Sequence, residues 1–324
     1  MNFRTELLLK ASSANITLED PIVTLGSCFS ESIGQRFLDS KFQSLVNPFG
    51  TTYHPFSIHS LVQYGIDKKN PTEQNSIETN ETFFNYDFHS CFHGSSAIDL
   101  QKEIKKTITS TNSFLRKCNV ILLTYGTAFI YERKDTGEAV ANCHKQPSYL
   151  FTKRLTSVEE ITKSFAETIK LLLTFNPTVR IIVTVSPVRH LKDSIELNNI
   201  SKSILRIACH QIVKTHSIVD YFPAFEIMMD DLRDYRFYKA DLIHPTEVAE
   251  EYIWNKFCTR YFSNSTMNIL SKWNEIRKAI DHRPFQLSSV SHQKFLRETL
   301  IKLSELKPFM NVNNEIATIE SMIV

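Results

Sequence analysis

The fold of this chain is decided by residues 21–30, PIVTLGSCFS. Ile22 to Leu25 form a short apolar run that stops at Gly26, which predicts a buried strand. A helix is predicted to follow, from about residue 30 to residue 40. The strand therefore passes into a helix near Ser27 and Cys28, and ligands of α/β proteins bind beyond such strand ends.

The rest of the chain repeats this alternation of short apolar strands and amphipathic helices. Further strands are predicted at residues 42–46, 120–124, 180–185 and 217–221, with helices at 57–66, 97–117, 161–172 and 200–212. Helical crossovers between short strands are typical of parallel sheets. We therefore expect an α/β fold with a doubly wound, mostly parallel sheet of the flavodoxin-like, three-layer kind.

The chain is predicted to divide near residue 262. Residues 1–262 form the α/β domain, with insertions at about 68–95 and about 129–150. Residues 263–324 are more polar and carry an apolar stripe at Leu296, Leu300 and Leu303, which predicts a helical C-terminal extension. We expect no strand of the central sheet and no catalytic side chain from this extension.

Composition excludes several classes of function. The 37 basic and 35 acidic residues nearly balance, so the chain lacks the basic excess expected of a nucleic-acid partner. With only 7 glycines and no glycine-rich phosphate loop, no nucleotide cofactor is expected. No apolar stretch is long enough to span a membrane, and the N-terminal apolar run, Leu7 to Leu9, is too short for a signal peptide. The 6 scattered cysteines form no CxxC pair and predict reduced thiols in a cytoplasmic protein.

Cys28 is the first candidate nucleophile. At the start of a helix, free backbone N–H groups and positive potential favour a thiolate and can stabilise an oxyanion. The alternative is a small buried cysteine in the core, because unpaired cysteines are usually buried.

Asp241 and His244 form the second candidate pair. An i, i+3 spacing in a loop or at a helix start allows the carboxylate to orient the imidazole. In the alternative interpretation, Asp241 caps the following helix and His244 is a surface histidine.

A metal site is the weakest candidate. His89, Cys91 and His93 alternate along one predicted segment, and Cys143 with His144 could add to them. A closed zinc site usually takes its four ligands from two separated pairs, which this spacing does not match. We therefore expect no metal.

Several motifs in order resemble those of the GSCFA domain family, which belongs to the SGNH/GDSL-like hydrolases. The resemblance covers roughly residues 1–260, and its first motif ends in Ser30 where the family name has alanine. The matching stretches are Gly26–Ser30, Asn47–Thr51, Tyr86–Ser90, Gly126–Ala128, Asn142–Lys145, Ser186–His190 and Asp234–Tyr238, followed by Asp241 and His244.

The resemblance implies roles for individual residues. The Gly-Asp-Ser block of SGNH enzymes falls on Gly26, Ser27 and Cys28, so Cys28 takes the place of the nucleophile. The glycine oxyanion donor falls on Gly50, and the Asp-x-x-His block falls on Asp241 and His244. The block that normally supplies an asparagine falls near Gly126-Thr127-Ala128, which has no amide side chain.

Asn142 is the nearest candidate to replace that asparagine, and we expect its side chain to face Cys28. In the alternative, Asn142 caps a turn. The residues expected to contact substrate are Ser27, His89, Gly126, His144, Arg189 and His190. Arg189 suits a carboxylate or phosphate, and a structural ion pair is its equal alternative.

These residues predict an enzyme that acts on an ester, as a hydrolase or an acyltransferase. Cys28 would attack the carbonyl, His244 would act as base and then acid, and Asp241 would orient His244. By analogy with other SGNH enzymes, the substrate would be a small-molecule or carbohydrate ester. The rival interpretation is a ligand-binding module that keeps this fold without catalysis.

Overall fold

The computed structural model describes residues 4–69, 71–281 and 288–323. The strands are β1 (Ile22–Gly26), β2 (Ser44–Val46), β3 (Ser76–Thr79), β4 (Thr82–Asn85), β5 (Val120–Tyr125), β6 (Phe129–Arg133), β7 (Ala139–Val140), β8 (Phe151–Leu155), β9 (Arg180–Val185) and β10 (Val219–Phe222). The α-helices are α1 (Cys28–Asp39), α2 (Pro55–Asp67), α3 (Ala97–Leu115), α4 (Val158–Phe175), α5 (Ile195–Thr215), α6 (Ala224–Glu226), α7 (Glu247–Tyr261), α8 (Asn264–Asp281), α9 (Val290–Leu306) and α10 (Asn313–Met322). Short 3₁₀ turns occupy Glu73–Asn75, Ser148–Leu150 and Tyr235–Phe237, and a π-helical turn, Ile227–Leu232, follows α6.

Five strands form the central sheet in the order β10-β9-β5-β1-β2. All neighbouring strands in this sheet are parallel. Numbered by their own sequence order, the strands run 5-4-3-1-2, which is the flavodoxin-like order of doubly wound sheets. The predicted fold class is therefore confirmed.

Helices cover both faces of this sheet. Val23 and Leu25 point to the face where they share an apolar core with residues of α2, α3, α4 and α5. Thr24 points to the opposite face, where α1 approaches so closely that a Cβ on Gly34 would lie 2.8 Å from the Thr24 hydroxyl. Because successive side chains of a strand alternate between faces, one apolar strand can serve two helical layers.

Both predicted insertions contain antiparallel strands. In the first, β3 and β4 form a hairpin, and residue 70 lies outside the described residues. In the second region, β6 pairs with β7 and also with β8. Strand β8 was not predicted, because its sequence, FTKRL, carries two basic residues in five and lacks the apolar run used to recognise strands.

The chain separates into two compact units. One contains residues 1–8, 21–35 and 44–255, and the other contains residues 9–20, 36–43 and 256–324. Beyond residue 262, the described residues form the helices α8, α9 and α10, as predicted for the C-terminal extension. The domain boundary itself stays a prediction. No helix in the described ranges is long and apolar enough to cross a membrane.

Candidate functional site

The carboxyl ends of β1, β5 and β9 lie side by side and carry the site. Gly26 is in register with Thr124, and Tyr125 is in register with Val185. Hydrogen bonds between neighbouring segments continue beyond these pairs. The Ser27 N–H donates to the Thr124 carbonyl at 3.2 Å, and the Ser186 N–H donates to the Tyr125 carbonyl at 2.8 Å. The segments that follow the three strands therefore start from one edge of the sheet, as expected.

Gly26 sets the turn that presents Cys28. Its φ is +142°, and a Cβ at this position would lie 2.2 Å from the carbonyl oxygen of Thr124. On its other side, the Gly26 N–H donates to the Asn47 side-chain oxygen at 3.0 Å, and the Gly26 carbonyl accepts from the Thr52 N–H at 2.9 Å. The backbone before Cys28 is thus held between β5 and the loop after β2.

Cys28 is the first residue of α1 and is partly buried. Burial raises the pKa of its thiol above the ordinary value, and the charge of Glu31 adds to that rise. The N–H groups of Cys28 and Phe29 and the charge of Lys202 lower the same pKa but do not outweigh burial. The helix N-terminus therefore favours the thiolate as expected, but the pKa of the thiol is still raised, because desolvation of the sulfur is the larger effect.

The contact between Asp241 and His244 that their spacing predicted is present, although both side chains are exposed, as in the alternative of a surface histidine. One carboxylate oxygen lies 2.7 Å from His244 Nδ1, and the other accepts the backbone N–H groups of Ile243 and His244 at 2.9 and 3.0 Å. These hydrogen bonds, from the His244 backbone first, hold the pKa of the Asp241 carboxyl well below its usual range. An ionised Asp241 can only accept a hydrogen bond, so the neutral imidazole of His244 carries its proton on Nδ1. Its Nε2 is then able to accept a proton.

Arg189 supports the loop that carries this pair. Its backbone N–H donates to the Ile243 carbonyl at 3.2 Å, and its guanidinium reaches the Leu242 carbonyl at 3.4 Å. The guanidinium also lies 4.2 Å from the ring centre of Tyr238. The partners of Arg189 are thus carbonyls and aromatic rings instead of the carboxylate of the ion-pair alternative, and its contact with substrate stays a prediction.

Tyr53 is close enough to Cys28, and His190 close enough to His244, for their charges to interact. Burial lowers the pKa of His190 to about 3, and the nearby charges of Lys202 and His244 lower it further. The His190 ring stacks edge-on to Tyr53, with 5.3 Å between the ring centres. Burial raises the pKa of Tyr53, and the charge of Cys28 adds to this. Cys28, Tyr53, His190 and His244 therefore form one neighbourhood, yet no hydrogen bond joins Cys28 to His244 in the part of the chain that the structure describes.

Gly50 is placed near the site, but its N–H is engaged. It donates to the Asn47 carbonyl at 2.8 Å, which closes a turn with a Gly50 φ of +76°. A Cβ on Gly50 would lie 2.7 Å from the Cβ of His89 and 2.8 Å from Cys91 Sγ, so both side chains pack against this glycine. The assignment of Gly50 as a free oxyanion donor is corrected for this reason.

Asn142 caps a turn, as the alternative interpretation proposed. Its side-chain oxygen accepts the His144 N–H at 2.8 Å, and its amide nitrogen donates to the Ser90 hydroxyl at 3.0 Å. His144 is buried, and its ring nitrogens lie 3.2 Å from the Ser90 hydroxyl and 2.8 Å from the Asn85 carbonyl. The structure therefore places Asn142 and His144 in a local network within the insertions and shows no contact from Asn142 to Cys28.

Ser27, Gly126 and His89 border the site in different ways. Ser27 is fully buried, so its predicted contact with substrate is corrected: the fold covers its side chain. The N–H of Gly126 donates to the Tyr53 carbonyl at 2.8 Å, which ties the end of β5 to the loop before α2. His89 is partly buried, and its Nδ1 accepts the Cys91 N–H at 3.2 Å. Within the described ranges, no three His, Cys, Asp or Glu side chains are grouped as metal ligands.

Lys202 was missed by sequence reasoning. It lies in α5 and is 2% exposed, on the same buried stripe as Asn198, Ser201, Leu205 and Ala208. A charged residue at a position that helical periodicity assigns to the core is an available signal, because buried lysines are rare. Asn47 was quoted only as part of a motif, and its contact with Gly26 depends on residues 21 positions apart.

Comparison with protein families gives two matches along the chain. The GSCFA family matches residues 21–257, and the C-terminal domain of GSCFA domain proteins matches residues 273–324. No protein of curated function matches the sequence.

Two solved structures share low identity with this chain. One is provisionally described as a platelet activating factor from Streptococcus pneumonia, with 12% identity, a TM-score of 0.39 and coverage of 74% of this chain and 84% of that one. The other is a carbohydrate esterase family 3 protein from Talaromyces cellulolyticus, with 9% identity, a TM-score of 0.37 and coverage of 78% of this chain and 98% of that one.

Proposed function

Because this chain belongs to the GSCFA family, whose motifs resemble those of SGNH hydrolases, we propose that it transfers an acyl group from an ester to water or to an acceptor hydroxyl. Cys28 is the nucleophile, His244 the general base and Asp241 the residue that orients His244. The observation that carries this proposal is the 2.7 Å contact between Asp241 and His244 Nδ1. It prepares Nε2 of His244 to accept a proton at the sheet edge where α1 presents Cys28.

The first half of the reaction forms a thioester. The Cys28 thiol gives its proton to His244 Nε2 as the sulfur attacks the ester carbonyl. The tetrahedral intermediate then expels the alcohol, which takes that proton from His244. This sequence requires Nε2 to come within hydrogen-bond reach of the sulfur once substrate is bound, and catalytic contacts are often longer before that.

The second half regenerates the thiol. Water or an acceptor hydroxyl gives a proton to His244 and attacks the thioester carbonyl. The sulfur then leaves and recovers the proton. Thioesters transfer readily, so the same intermediate serves a hydrolase and an acyltransferase. The substrate is a small-molecule or carbohydrate ester, and the carbohydrate class rests on the family resemblance alone.

The N–H groups of Cys28 and Phe29 are the oxyanion donors in this proposal. Both act on the Cys28 sulfur and lower the pKa of its thiol. They belong to the first turn of α1, where backbone N–H groups have no intrahelical acceptor. They take the place of the Gly50 N–H and the Asn142 amide, which have other partners in this structure.

A screen with p-nitrophenyl esters of varied acyl chain tests the proposal. The wild-type protein should release p-nitrophenol, and Cys28→Ala should lower turnover by about a thousandfold or more. Cys91→Ala is the matched control, because Cys91 is an exposed thiol that packs against Gly50, in the loop after β2. Equal rates for wild type and Cys28→Ala would remove Cys28 as the nucleophile.

A ligand-binding module without catalysis is the second candidate. It is favoured by the raised pKa of the Cys28 thiol, which leaves little thiolate at neutral pH. In that case ester analogues would bind with saturable affinity, while neither hydrolysis nor labelling of Cys28 by an activated ester would occur.

A further inference from the structure

Arg189 has a guanidinium group that is held in place but makes few hydrogen bonds. The group lies 4.2 Å from the ring centre of Tyr238 and 5.2 Å from that of Tyr235, so both aromatic rings hold it by cation–π contacts. A guanidinium has five N–H donors, and within the described ranges a single hydrogen bond forms, to the Leu242 carbonyl at 3.4 Å. Most of these donors therefore have no protein acceptor there.

Arg189 also has no counter-ion among the described residues. The carboxylates on the segment that carries its aromatic partners are engaged elsewhere. Asp230 and Asp234 form ion pairs with other arginines, and both oxygens of Asp241 accept hydrogen bonds from their own loop. A guanidinium binds a carboxylate or a phosphate through two parallel N–H···O bonds, so the chemical partner that suits Arg189 best is an anion.

The position of Arg189 links such an anion to the proposed reaction site. Arg189 lies in the segment that follows β9. Its backbone N–H donates to the Ile243 carbonyl at 3.2 Å, and its guanidinium contacts the Leu242 carbonyl, two residues before His244. The His244 side chain is 42% exposed, so solvent and small ligands reach it. An anion bound to Arg189 would therefore lie beside the loop that carries the proposed base.

We propose that Arg189 binds a negatively charged group, a carboxylate or a phosphate, that the substrate carries in addition to its ester bond. The substrate class is then an anionic ester. This inference rests on the proposed function, because the proposed base, His244, marks the position of the ester bond. Binding of the charged group at Arg189 would hold the ester at a fixed distance from the base.

Binding of two probes to the Cys28→Ala protein tests the proposal. The probes are monomethyl succinate, an ester that carries a carboxylate, and inorganic phosphate. Binding is followed by NMR through the Arg189 Nε–H signal, which is assigned from the backbone of Arg189 and needs no further variant. At least one probe should shift this signal saturably. Dimethyl succinate, the neutral analogue, should bind about tenfold more weakly than monomethyl succinate or worse, if the carboxylate is the group that Arg189 binds.

The two probes distinguish the two anions. A shift with monomethyl succinate alone would assign a carboxylate to the substrate, and a shift with phosphate alone would assign a phosphate. If neither probe shifts the Arg189 signal, the proposal is overturned, and this outcome counts even where the Arg189 variants do not fold.

Variants of Arg189 test whether the guanidinium itself is the binding group. Arg189→Lys keeps the charge but loses the planar fork, so it should weaken binding of the responding probe by about tenfold or more. Arg189→Gln loses the charge as well and should weaken binding at least as much. Equal affinities for these variants and the parent protein would overturn the proposal.

Arg236→Gln is the matched control. The Arg236 guanidinium also lies over an aromatic ring, 5.5 Å from the centre of Phe237, but it is paired with Asp234 at 3.2 Å. The affinity of this variant should stay close to that of the parent protein. A loss as large as that in Arg189→Gln would mean that the net charge of the loop attracts the probe, which contradicts a specific site at Arg189.

The titration needs no turnover, so this experiment separates the two proposals. Probe binding that depends on Arg189, without any ester turnover by the wild-type protein, would support Arg189 and reject the proposed function. Turnover of p-nitrophenyl esters that depends on Cys28, without probe binding at Arg189, would do the reverse.

Discussion

At Cys28, two opposing effects set the ionisation of the thiol. The start of α1 offers N–H groups that favour a thiolate, while partial burial disfavours any charge on the sulfur. Burial is the larger effect, so the pKa of the thiol is raised and a base is needed for attack. A nucleophile that is protonated at rest is consistent with the proposed His244 base and is also less exposed to oxidation than a thiolate.

The alkylation order of the cysteines at neutral pH follows from this balance. Burial raises the pKa of both the Cys91 and the Cys28 thiol, so exposure decides their order, and the exposed Cys91 should react before the partly buried Cys28. Cys118 should react much later than both, since burial raises the pKa of its thiol to about 12. Unfolding in urea should bring the rates together. If Cys28 reacted first at slightly acidic pH, the thiolate would exist before substrate binds.

Asp241→Asn should lower ester turnover by about a hundredfold or more. The substitution replaces the carboxylate opposite His244 Nδ1 by a neutral amide. The imidazole is then no longer held in the tautomer that has its proton on Nδ1 and leaves Nε2 able to accept a proton. The rate should be measured with the best ester of the screen.

Asp234→Asn is the control for this prediction. Asp234 also caps a turn, with the Arg236 N–H donating to its carboxylate at 2.8 Å, but it has no histidine partner. Its turnover should stay close to that of the wild type. Equal losses in both variants would indicate general damage to these loops.

At the scale of secondary-structure elements, the β1–α1 junction depends on close backbone packing. Gly26 lies against β5, and its neighbours Asn47 and Thr52 hold it from the other side. The junction thereby holds Cys28 with little freedom, which the proposed role of Cys28 as a nucleophile requires.

Gly26→Ala should destabilise the fold by about 3 kcal/mol or more, because the new methyl group would meet the β5 backbone. A Cβ there would lie 2.2 Å from the Thr124 carbonyl oxygen, and a backbone atom cannot move aside cheaply. Urea unfolding measures the loss.

Gly137→Ala is the comparison, since Gly137 also has a positive φ, +73°, but has nothing within 4 Å of the new methyl group. It should cost only about 1 kcal/mol, from backbone strain alone. Similar losses for the two variants would mean that φ, and not the contact with β5, determines the effect.

At the scale of the whole molecule, buried histidines link stability to pH. Burial lowers the pKa of His54 and of His59 to about 3 from an ordinary value of 6.5. Between pH 6.5 and about 3 the unfolded chain binds protons that the folded state excludes. The contribution of these two neutral imidazoles to the free energy of unfolding is therefore fully present above pH 6.5 and is lost as the pH falls towards 3.

His59→Gln should flatten this pH dependence. His59 Nδ1 lies 2.8 Å from the Ser164 hydroxyl, and Nε2 lies 2.8 Å from the Tyr125 hydroxyl. Glutamine keeps polar atoms there without a titrating ring. Across the acid range, the slope of the unfolding free energy should fall by up to about 1.4 kcal/mol per pH unit.

His210→Gln is the control, because His210 lies exposed on α5. Its slope should follow that of the wild type. An unchanged slope for His59→Gln would show that its ring takes up a proton in the folded state.

Local pattern was enough to predict the parallel sheet, the strand–helix junction at Cys28 and the pairing of Asp241 with His244. Strand and helix periodicity and an i, i+3 spacing act over a few residues, so they can be read directly from the chain. The helical character of the C-terminal region was predicted in the same way.

Tertiary structure alone decided which polar groups are free. The Asn142 amide donates a hydrogen bond to the Ser90 hydroxyl, 52 positions away, and the Lys202 ammonium donates to the Gly126 carbonyl, 76 positions away. The balance of burial against helix N–H groups at Cys28 likewise depends on the segments that cover the sulfur. Hydrogen-bond partners and desolvation arise from contacts between segments distant along the chain, and no spacing within one segment reveals them.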